Sequence, residues 1–333
     1  MSKIKPSQGA PYARIMGVGG YRPTRVVPNE VILETIDSSD EWIRSRSGIA
    51  TRHWASEEET VAAMSVEASG KAIADAGIRP EQIGAVIVST VSHFKQTPAI
   101  ATEIAHKVGA GKPAAFDISA GCAGFGYGLT LAKGMIVEGS AEYVLVIGVE
   151  RLSDLTDKED RATAFLFGDG AGAVVVGPSK VPAIGPTVWG SEGDKSETIK
   201  QTVAWDEFHA ERPEKFPAIT QEGQAVFRWA VFEMAKVAQQ ALDAAGIAPE
   251  DLDVFIPHQA NMRIIDSMVK TLKLPENVMV ARDVETTGNT SAASIPLAME
   301  RLLATGQAKS GDTALVIGFG AGLVYAATVV TLP

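Results

Sequence analysis

One residue stands out as a possible nucleophile, the lone cysteine Cys122. It lies in the small-residue segment AGCAGFGYG (120–128), after an apolar segment and before a helical pattern. Small residues permit a tight strand-to-helix turn that brings the backbone close to a ligand. A thiol at a helix N-terminus faces the positive end of the helix dipole, so we predict a pKa below the free value of ~8.5. A buried, unreactive cysteine is the competing interpretation.

Two further residues can supply polar chemistry if the chain brings them to the same place. His258 follows the apolar run 254–256, at the C-terminal end of a predicted strand, where open α/β sheets bind ligands. Asn289 lies in a second small-residue turn, GNTSAAS (288–294). Taken alone, either residue can be structural, as a strand-end histidine or as the cap of a glycine turn.

The elements that must position these residues are repeated along the chain. AIADAGIRPEQI (72–83) resembles ALDAAGIAPEDL (241–252), and YVLVIG (143–148) resembles TALVIG (313–318). A common offset of about 170 residues indicates a duplication. If the two halves pack about a pseudo-two-fold axis, both turns and His258 meet in one central site.

The duplication divides the chain into three parts. We predict a flexible N-terminal tail (1–12), a first half (13–178) and a second half (179–333), which begins with a connector or flap (179–220) rich in proline and polar residues. Each half alternates helical patterns with short apolar runs, which is typical of α/β layering.

Two helices can be placed in more detail. Ser56 and Glu59 form a capping-box pattern, which predicts a helix from Ser56 to Gly77. A second helical pattern covers 226–246. Short apolar runs such as 144–147 predict strands that are buried on both faces.

Composition and charge exclude several classes of protein. The chain has 30 Lys and Arg against 40 Asp and Glu, a net charge of −10, which argues against a general nucleic-acid or membrane-surface binder. One cysteine excludes a disulfide framework or a cysteine zinc cluster. The segment 314–332 is nearly as long as a membrane span, but its central glycines predict two buried strands instead. Residues 1–12 lack the apolar core of a signal peptide, and we expect a cytoplasmic protein.

A resemblance to a known family rests on motif order. Five motifs occur in this sequence: AGCAGFGYG, FGDGAG (167–172), PHQAN (257–261), GNTSAAS and GFGAG (318–322). From about residue 13 onward, the chain resembles the β-ketoacyl-[acyl-carrier-protein] synthase III family. The resemblance implies the α/β thiolase fold, in which two duplicated halves form five layers, αβαβα, and it implies a homodimer.

The resemblance also implies a reaction. An acyl group passes from coenzyme A to the cysteine, malonyl on acyl carrier protein loses CO2, and the carbanion attacks the acyl-enzyme to give 3-oxoacyl carrier protein. In this chain Cys122 is then the nucleophile, while His258 and Asn289 stabilise the enolate. The backbone N–H groups of Cys122 and Ala321 form the oxyanion hole. No metal and no organic cofactor is implied.

Position 321 departs from the family, which usually has glycine there. Alanine keeps the N–H group, but its backbone must adopt an angle that is compatible with a Cβ atom.

Further contacts carry over from the family by position. The resemblance places Trp42 and Arg161 on the two faces of the adenine of coenzyme A and Arg46 at its phosphates. It places Asn261 and Gln224 at the pantetheine. Many relatives have asparagine where this chain has Gln224. The contacts with the acidic carrier protein are Gln259, Arg263 and Lys270.

Thr97 and Phe319 are expected to line the acyl pocket. Relatives that are restricted to acetyl primers carry an aromatic residue at 97, contributed across the dimer interface. Threonine leaves volume, so we expect branched or longer primers to be accepted.

Two other interpretations of the sequence stay open. One is a thiolase-fold acyltransferase of specialised metabolism, since its acylation half-reaction is the same. The other is a non-catalytic homologue that only binds carrier protein. Thiolysis is disfavoured because thiolases use a second cysteine, and elongating synthases have a second histidine where this chain has Asn289.

Overall fold

The computed structural model describes residues 4–212 and 214–333. The first three residues of the predicted tail (1–12) and Pro213 lie outside the described residues. Near its end the tail is anchored, because the Ala10 N–H donates to the Ile136 carbonyl at 3.1 Å. The first strand begins at Tyr12, one residue before the predicted start of the first half.

The strands and helices are as follows. The strands are β1 (Tyr12–Tyr21), β2 (Arg25–Pro28), β3 (Thr51–Trp54), β4 (Ile83–Ser89), β5 (Ala114–Ile118), β6 (Tyr143–Arg151), β7 (Asp169–Ser179), β8 (Val188–Gly190), β9 (Ile199–Gln201), β10 (Ile219–Gln221), β11 (Val254–Pro257), β12 (Met279–Val280), β13 (Thr313–Gly320) and β14 (Val324–Thr331). The helices are α1 (Asn29–Ile32), α2 (Asp40–Ser47), α3 (Val61–Asp75), α4 (Ile100–Lys107), α5 (Gly124–Glu138), α6 (Trp205–Glu211), α7 (Gly223–Phe232), α8 (Met234–Ala245), α9 (Met262–Leu272), α10 (Val284–Thr287) and α11 (Ser294–Ala304).

Two five-stranded sheets repeat one topology. The first has the strand order β1-β7-β6-β4-β5 and the second β8-β14-β13-β11-β12. In each sheet the first strand pairs antiparallel with the second, and the second pairs antiparallel with the third. The third pairs parallel with the fourth, and the fourth pairs parallel with the fifth. Gly77 and Gly246, at the ends of the matched helical segments, have nearly equal φ of 66° and 67°. The duplication inferred from the sequence is therefore confirmed.

The sheets and helices form five layers. Helices α5 and α11 lie between the sheets, where they share one core with both, through residues such as Leu129 and Met299. Helices α3 and α4 cover the outer face of the first sheet, and α7, α8 and α9 cover that of the second. This confirms the αβαβα arrangement that the resemblance implies.

Continuous apolar runs result from burial on both faces of each sheet. On β6, Val144 and Val146 face the central helices, whereas Leu145 and Ile147 face the outer ones. All four side chains are fully buried, which explains why the run is apolar throughout instead of alternating. The predicted strand pair within 314–332 is also confirmed, as β13 and β14 pair antiparallel. In the described part of the chain, no helix has the length and apolarity that a membrane span requires.

Two helix predictions need correction. The helix α3 starts at Val61, and its N-cap is Thr60, whose Oγ1 accepts the Ala63 N–H at 3.1 Å. Glu59 does accept the Ser56 N–H at 2.8 Å, but this bond lies in the turn before the helix. The single helix predicted over 226–246 is two helices, α7 and α8, which meet at Glu233. The sequence pattern did not reveal this break, because the apolar spacing continues across it.

The connector (179–220) is more than a flap. Its strand β8 completes the second sheet by pairing with β14. The strands β9 and β10 pair with each other, and their residues line the central cavity described below.

The cap of α3 gives a test. Replacing Thr60 with alanine removes the acceptor for the Ala63 N–H, and we expect the free energy of unfolding to fall by about 1 kcal/mol. Ser56→Ala, the matched control, leaves the cap intact and is expected to change it by less than ~0.5 kcal/mol. Chemical denaturation of both variants measures the difference, and equal losses would contradict this assignment of the cap.

Candidate active site

Cys122 lies in a one-turn 3-10 helix, Gly121–Ala123, between β5 and α5. Gly121 has φ 48°, in the left-handed region that favours glycine, so the tight turn predicted from the small residues is present. The end of β13 passes directly beside this turn. A Cβ atom on Gly320 would lie 2.9 Å from the Cys122 Sγ, and therefore only glycine allows the approach.

The predicted direction of the thiol pKa is wrong. Burial raises the pKa of Cys122 to about 12, although an interaction with the Ser291 side chain acts in the opposite direction. The side chain is partly open to the cavity, and desolvation is the largest influence on its pKa. The resting thiol is protonated, and its reaction requires a proton acceptor.

His258 follows β11 and is held by backbone and side-chain contacts. Its N–H donates to the Ile317 carbonyl of β13 at 2.7 Å, and its Nδ1 lies 2.7 Å from the Ser294 Oγ. The residue is 2% exposed, and burial lowers its pKa to about 3. The imidazole is therefore neutral at physiological pH.

Ser294 selects the tautomer of this imidazole. Its Oγ accepts the Gln259 N–H at 3.3 Å, and among the described contacts His258 Nδ1 is the only acceptor for its own proton. With Nδ1 as acceptor, the remaining proton of the neutral ring is on Nε2. His258 thus presents an N–H donor to its surroundings.

Asn289 is fixed by hydrogen bonds on its backbone and side chain. Its N–H donates to the Leu166 carbonyl at 2.8 Å, and its own carbonyl accepts the Gly168 N–H at 3.0 Å. The Oδ1 accepts the Ser291 N–H at 2.9 Å. This leaves the Nδ2 atom of the side-chain amide as the group that can donate a hydrogen bond into the cavity.

One cavity of about 730 Å³ joins the residues that the sequence singled out. Its lining includes Thr97, Cys122, His258, Asn289, Phe319 and Ala321. The thiol, the imidazole and the amide, which are scattered along the chain, therefore meet at one place between the two halves. The roles of these groups stay predictions.

The backbone at Ala321 is compatible with its side chain. Ala321 does not have a positive φ, whereas the next residue, Gly322, has φ 78°. The N–H groups of Cys122 and Ala321 lie on facing turns: a Cβ atom on Gly121 would be 3.5 Å from Ala321 N, and one on Gly320 would be 3.0 Å from Cys122 N. The two N–H groups therefore lie on turns that contact each other.

A second cavity, of about 600 Å³, lies outside the first. Its lining includes Trp42, Arg46, Gln224, Asn261 and Arg263, and Asn289 lines both cavities. The outer cavity therefore leads to the inner one past Asn289.

The aromatic and cationic groups predicted to hold an adenine lie together. The guanidinium groups of Arg161 and Arg46 lie 4.9 Å and 5.9 Å from the centre of the Trp42 ring. A planar ring between Trp42 and Arg161 needs about 7 Å, twice a ~3.5 Å contact, so Arg161 must move to admit one. The Asn261 side chain is already engaged, since Oδ1 caps α9 and Nδ2 donates to the Arg46 carbonyl at 3.0 Å.

One predicted docking residue is wrong. Gln259 is fully buried, and its amide bonds to the backbone of Pro257, Ala281 and Val284, so it cannot contact a partner protein. Arg263 and Lys270 are exposed on α9, as a docking surface requires.

The two predicted acyl-pocket residues both line the inner cavity. Phe319 packs edge-on to the His258 ring, with centroids 5.4 Å apart. Thr97 is exposed and lies at the cavity edge.

Sequence reasoning missed three polar residues around the site. Ser291 and Ser294 lie within the GNTSAAS motif but were not separated from its turn-forming residues. Glu150, at the end of β6, is fully buried, and burial raises its pKa to about 7. No local pattern marks it, because its partners come from other parts of the chain. Across the described residues, no group of three or more potential metal ligands is present.

Comparisons with known proteins agree with this geometry. Residues 116–193 match the family of 3-oxoacyl-[acyl-carrier-protein] synthase III, and residues 242–332 match its C-terminal part. The chain is 87% identical over 333 residues to a β-ketoacyl-[acyl-carrier-protein] synthase III of Streptomyces glaucescens, covering all of both chains. The chain belongs to the 3-oxoacyl-[acyl-carrier-protein] synthase III family. As a member, it is a condensing enzyme of the acyltransferase class with the thiolase fold.

More distant members extend the similarity. A mycobacterial β-ketoacyl-[acyl-carrier-protein] synthase III from Mycobacterium marinum is 55% identical over 334 residues, covering 100% of this chain and 99% of the relative. The crystal structure of the priming β-ketosynthase from the R1128 polyketide pathway has a TM-score of 0.97 and 45% sequence identity. The match covers 100% of this chain and 99% of that one. The crystal structure of the synthase III from Aquifex aeolicus has a TM-score of 0.89 and 38% sequence identity, and the match covers 96% of this chain and 99% of that one.

The state of His258 gives a second test. Because burial lowers its pKa to about 3, we expect its ring to stay neutral, with the proton on Nε2, from pH 5 to pH 8. Nitrogen-15 NMR of histidine-labelled protein measures both properties, and His258→Asn assigns the signal. In Ser294→Ala the partner of Nδ1 is lost, and the Nδ1–H tautomer should become detectable. A ring that titrates near its ordinary pKa would contradict the assignment.

Proposed function

We propose that the chain starts fatty-acid synthesis by transferring a short acyl group from coenzyme A to Cys122 and condensing it with malonyl carrier protein. The observation that carries this proposal is the meeting of a thiol, a neutral imidazole and an amide donor in one cavity. The outer cavity, which Trp42 and Arg46 line, offers a route for the coenzyme A arm.

The first half-reaction is acylation of the cysteine. Sulfur attacks the thioester carbonyl, and negative charge develops on its oxygen. The N–H groups of Cys122 and Ala321 can donate to this oxygen from their facing turns. Sulfur is also a good leaving group, so the acyl-enzyme stays reactive towards carbon.

The second half-reaction is decarboxylation and condensation. When malonyl carrier protein loses CO2, an enolate oxygen gains charge inside the cavity. The Nε2–H of His258 and the Nδ2 amine of Asn289 are fixed donors for it, each worth roughly 3 kcal/mol by analogy with oxyanion holes. A neutral histidine suits this role, because its Nε2–H donates a hydrogen bond while the buried ring carries no charge.

The partners are part of the same proposal. Arg263 and Lys270 are exposed on α9, and Arg263 lines the mouth of the outer cavity, where an acidic carrier protein can dock. The strand β5 ends the first sheet with one unpaired edge, which supports a homodimer formed at that edge. A free thiol suits the reducing cytoplasm.

A primer role in polyketide synthesis is the second candidate. It is favoured by the similarity to the priming β-ketosynthase from the R1128 pathway. Condensation rates with carrier proteins of the two pathway classes distinguish the candidates, because the preferred carrier identifies the pathway.

The acyl-enzyme provides the main experiment. Intact-mass measurement after adding acyl-CoA is expected to show one acyl adduct on the wild type and none on Cys122→Ala. Asn289→Ala is the matched variant: it should keep the adduct but lose ~10²–10³-fold in CO2 release from malonyl carrier protein, since one enolate donor is gone. An adduct that persists without Cys122, or the absence of any adduct on the wild type, would refute the proposal.

The primer range depends on Thr97. We propose that branched primers such as isobutyryl-CoA are accepted, because threonine leaves room at the edge of the cavity. Thr97→Phe should lower kcat/KM for isobutyryl-CoA at least ~10-fold relative to acetyl-CoA. Thr305→Phe, on an exposed site outside the lining of the cavity, is the control. A wild type that uses only acetyl-CoA would show that the primer assignment is wrong.

A further inference from the structure

Arg52, on β3, is a fully buried cation that neutral groups hold in place. Its guanidinium donates to the Asn29 Oδ1 at 2.8 Å, to the Phe165 carbonyl at 2.7 Å and to the Val27 carbonyl at 3.2 Å. Burial lowers its pKa to about 10, so it stays protonated at physiological pH. A buried charge costs free energy that hydrogen bonds to neutral acceptors offset only in part. The positions of these acceptors therefore indicate what the arginine does.

One of these bonds reaches the segment that positions Asn289. Arg52 binds the Phe165 carbonyl. The residue after Phe165 is Leu166, whose carbonyl accepts the Asn289 N–H at 2.8 Å. Two residues further on, the Gly168 N–H donates to the Asn289 carbonyl at 3.0 Å. The stem of Arg52 lies beside the same segment, since a Cβ atom on Gly168 would be 3.3 Å from the Arg52 Cβ. Arg52 is therefore joined to the backbone of Asn289 through a short hydrogen-bonded segment.

A second bond leads to both ends of α2, the helix that carries Trp42. The Nδ2 of Asn29 donates to Asp40 Oδ1 at 2.7 Å, at the first residue of this helix. It also donates to the Ile49 carbonyl at 2.9 Å, just after the helix ends. Asn29 is fully buried, and its Oδ1 is the acceptor for Arg52. Arg52 and Asn29 thus hold the helix that presents Trp42 to the outer cavity.

Phe165 brings the two connections together. Its ring packs edge-on to the Trp42 ring, with centroids 5.4 Å apart, while its carbonyl is bound to Arg52. Phe165, Trp42 and Asn289 all line the outer cavity, whereas Arg52 lines neither cavity. The arginine therefore lies behind the wall that carries the proposed adenine site and the proposed enolate donor.

We propose that Arg52 is a positioning residue that holds Trp42, the platform for coenzyme A, and Asn289, the enolate donor, in a fixed arrangement. It acts on α2 through Asn29 and on the backbone of Asn289 through Phe165. This inference rests on the proposed function, which assigns Trp42 and Asn289 their roles. Arg52 itself does not touch the substrate.

The two connections predict different effects, because the two half-reactions use different groups. Trp42 acts when acyl-CoA binds, whereas Asn289 acts on the enolate after Cys122 has been acylated. Loss of the connection through Asn29 should weaken coenzyme A binding alone. Loss of Arg52 should weaken binding and also slow CO2 release, since a catalytic group misplaced by ~1 Å can cost up to ~10²-fold in rate. A residue that supported only the fold would lower the amount of active protein and leave both constants of the remaining enzyme unchanged.

Two variants separate the connections. Asn29→Asp keeps an oxygen acceptor for Arg52 but loses the donor to Asp40 and Ile49. We expect the dissociation constant of coenzyme A, measured by calorimetry, to rise at least ~5-fold, while kcat for CO2 release from malonyl carrier protein stays within about twofold. Arg52→Met removes every donor of the guanidinium. In this variant the dissociation constant should rise at least ~5-fold, and kcat for CO2 release should fall at least ~10-fold.

Met64→Ala is the matched control for a weakened fold. Met64 is fully buried in the cluster between α3 and the first sheet, whose members line neither cavity. The variant should melt at a lower temperature than the wild type and keep both constants within about twofold. All rates are referred to the fraction of protein that forms the acyl adduct, measured by intact mass.

Arg52→Lys decides the outcome if Arg52→Met does not fold. An ammonium keeps the charge but lacks the planar fork of donors, so this variant should show part of both losses. Arg52 variants that keep both wild-type constants, or change them no more than Met64→Ala does, would overturn the positioning role. A loss of CO2 release in Asn29→Asp as large as that in the Arg52 variants would overturn the separate action through Asn29. Absence of any wild-type adduct would instead overturn the acyl transfer at Cys122, on which the inference rests.

Discussion

The site depends on the contact between the end of β13 and the turn that carries Cys122. Gly320 makes this contact possible, since a Cβ atom there would lie 2.9 Å from the sulfur. The same strand accepts the His258 N–H at Ile317 and continues into Ala321, whose nitrogen lies beside the turn. A single strand from the second half thus sets the distances among the thiol, the imidazole and the backbone donors. The central helices, packed between both sheets, keep the halves at this separation.

Desolvation is the largest influence on the pKa of three buried groups at the site. Burial raises the pKa of Cys122 and of Glu150 and lowers that of His258. In each case the neutral form gains, as expected for groups removed from water. At the thiol and the imidazole, charge therefore develops during reaction, and fixed N–H donors act on it more strongly than they would in water.

The sequence allowed some parts of this arrangement to be predicted and not others. The turns at Cys122 and Asn289 were recognised because small residues cluster locally, and the repeat placed them in corresponding halves. Gln259 was misassigned, since a position after a strand end does not reveal whether the side chain turns inwards. Glu150 was not found, because its nearest partner, Ser92, lies 58 positions away and no motif joins them. The thiol pKa was predicted in the wrong direction, because local reasoning includes the helix dipole but not the burial created by the other half.

The duplicated turns differ in one informative way. Gly121 and Ser291 occupy corresponding places before α5 and α11, and their φ values are 48° and 47°. Glycine adopts this angle freely, whereas a serine held there costs about 1–3 kcal/mol. Selection for thermal stability alone would favour glycine in both copies. The serine therefore weakens the fold at this turn while it places a hydroxyl in the lining of the cavity, and a design aimed only at heat resistance would replace it with glycine.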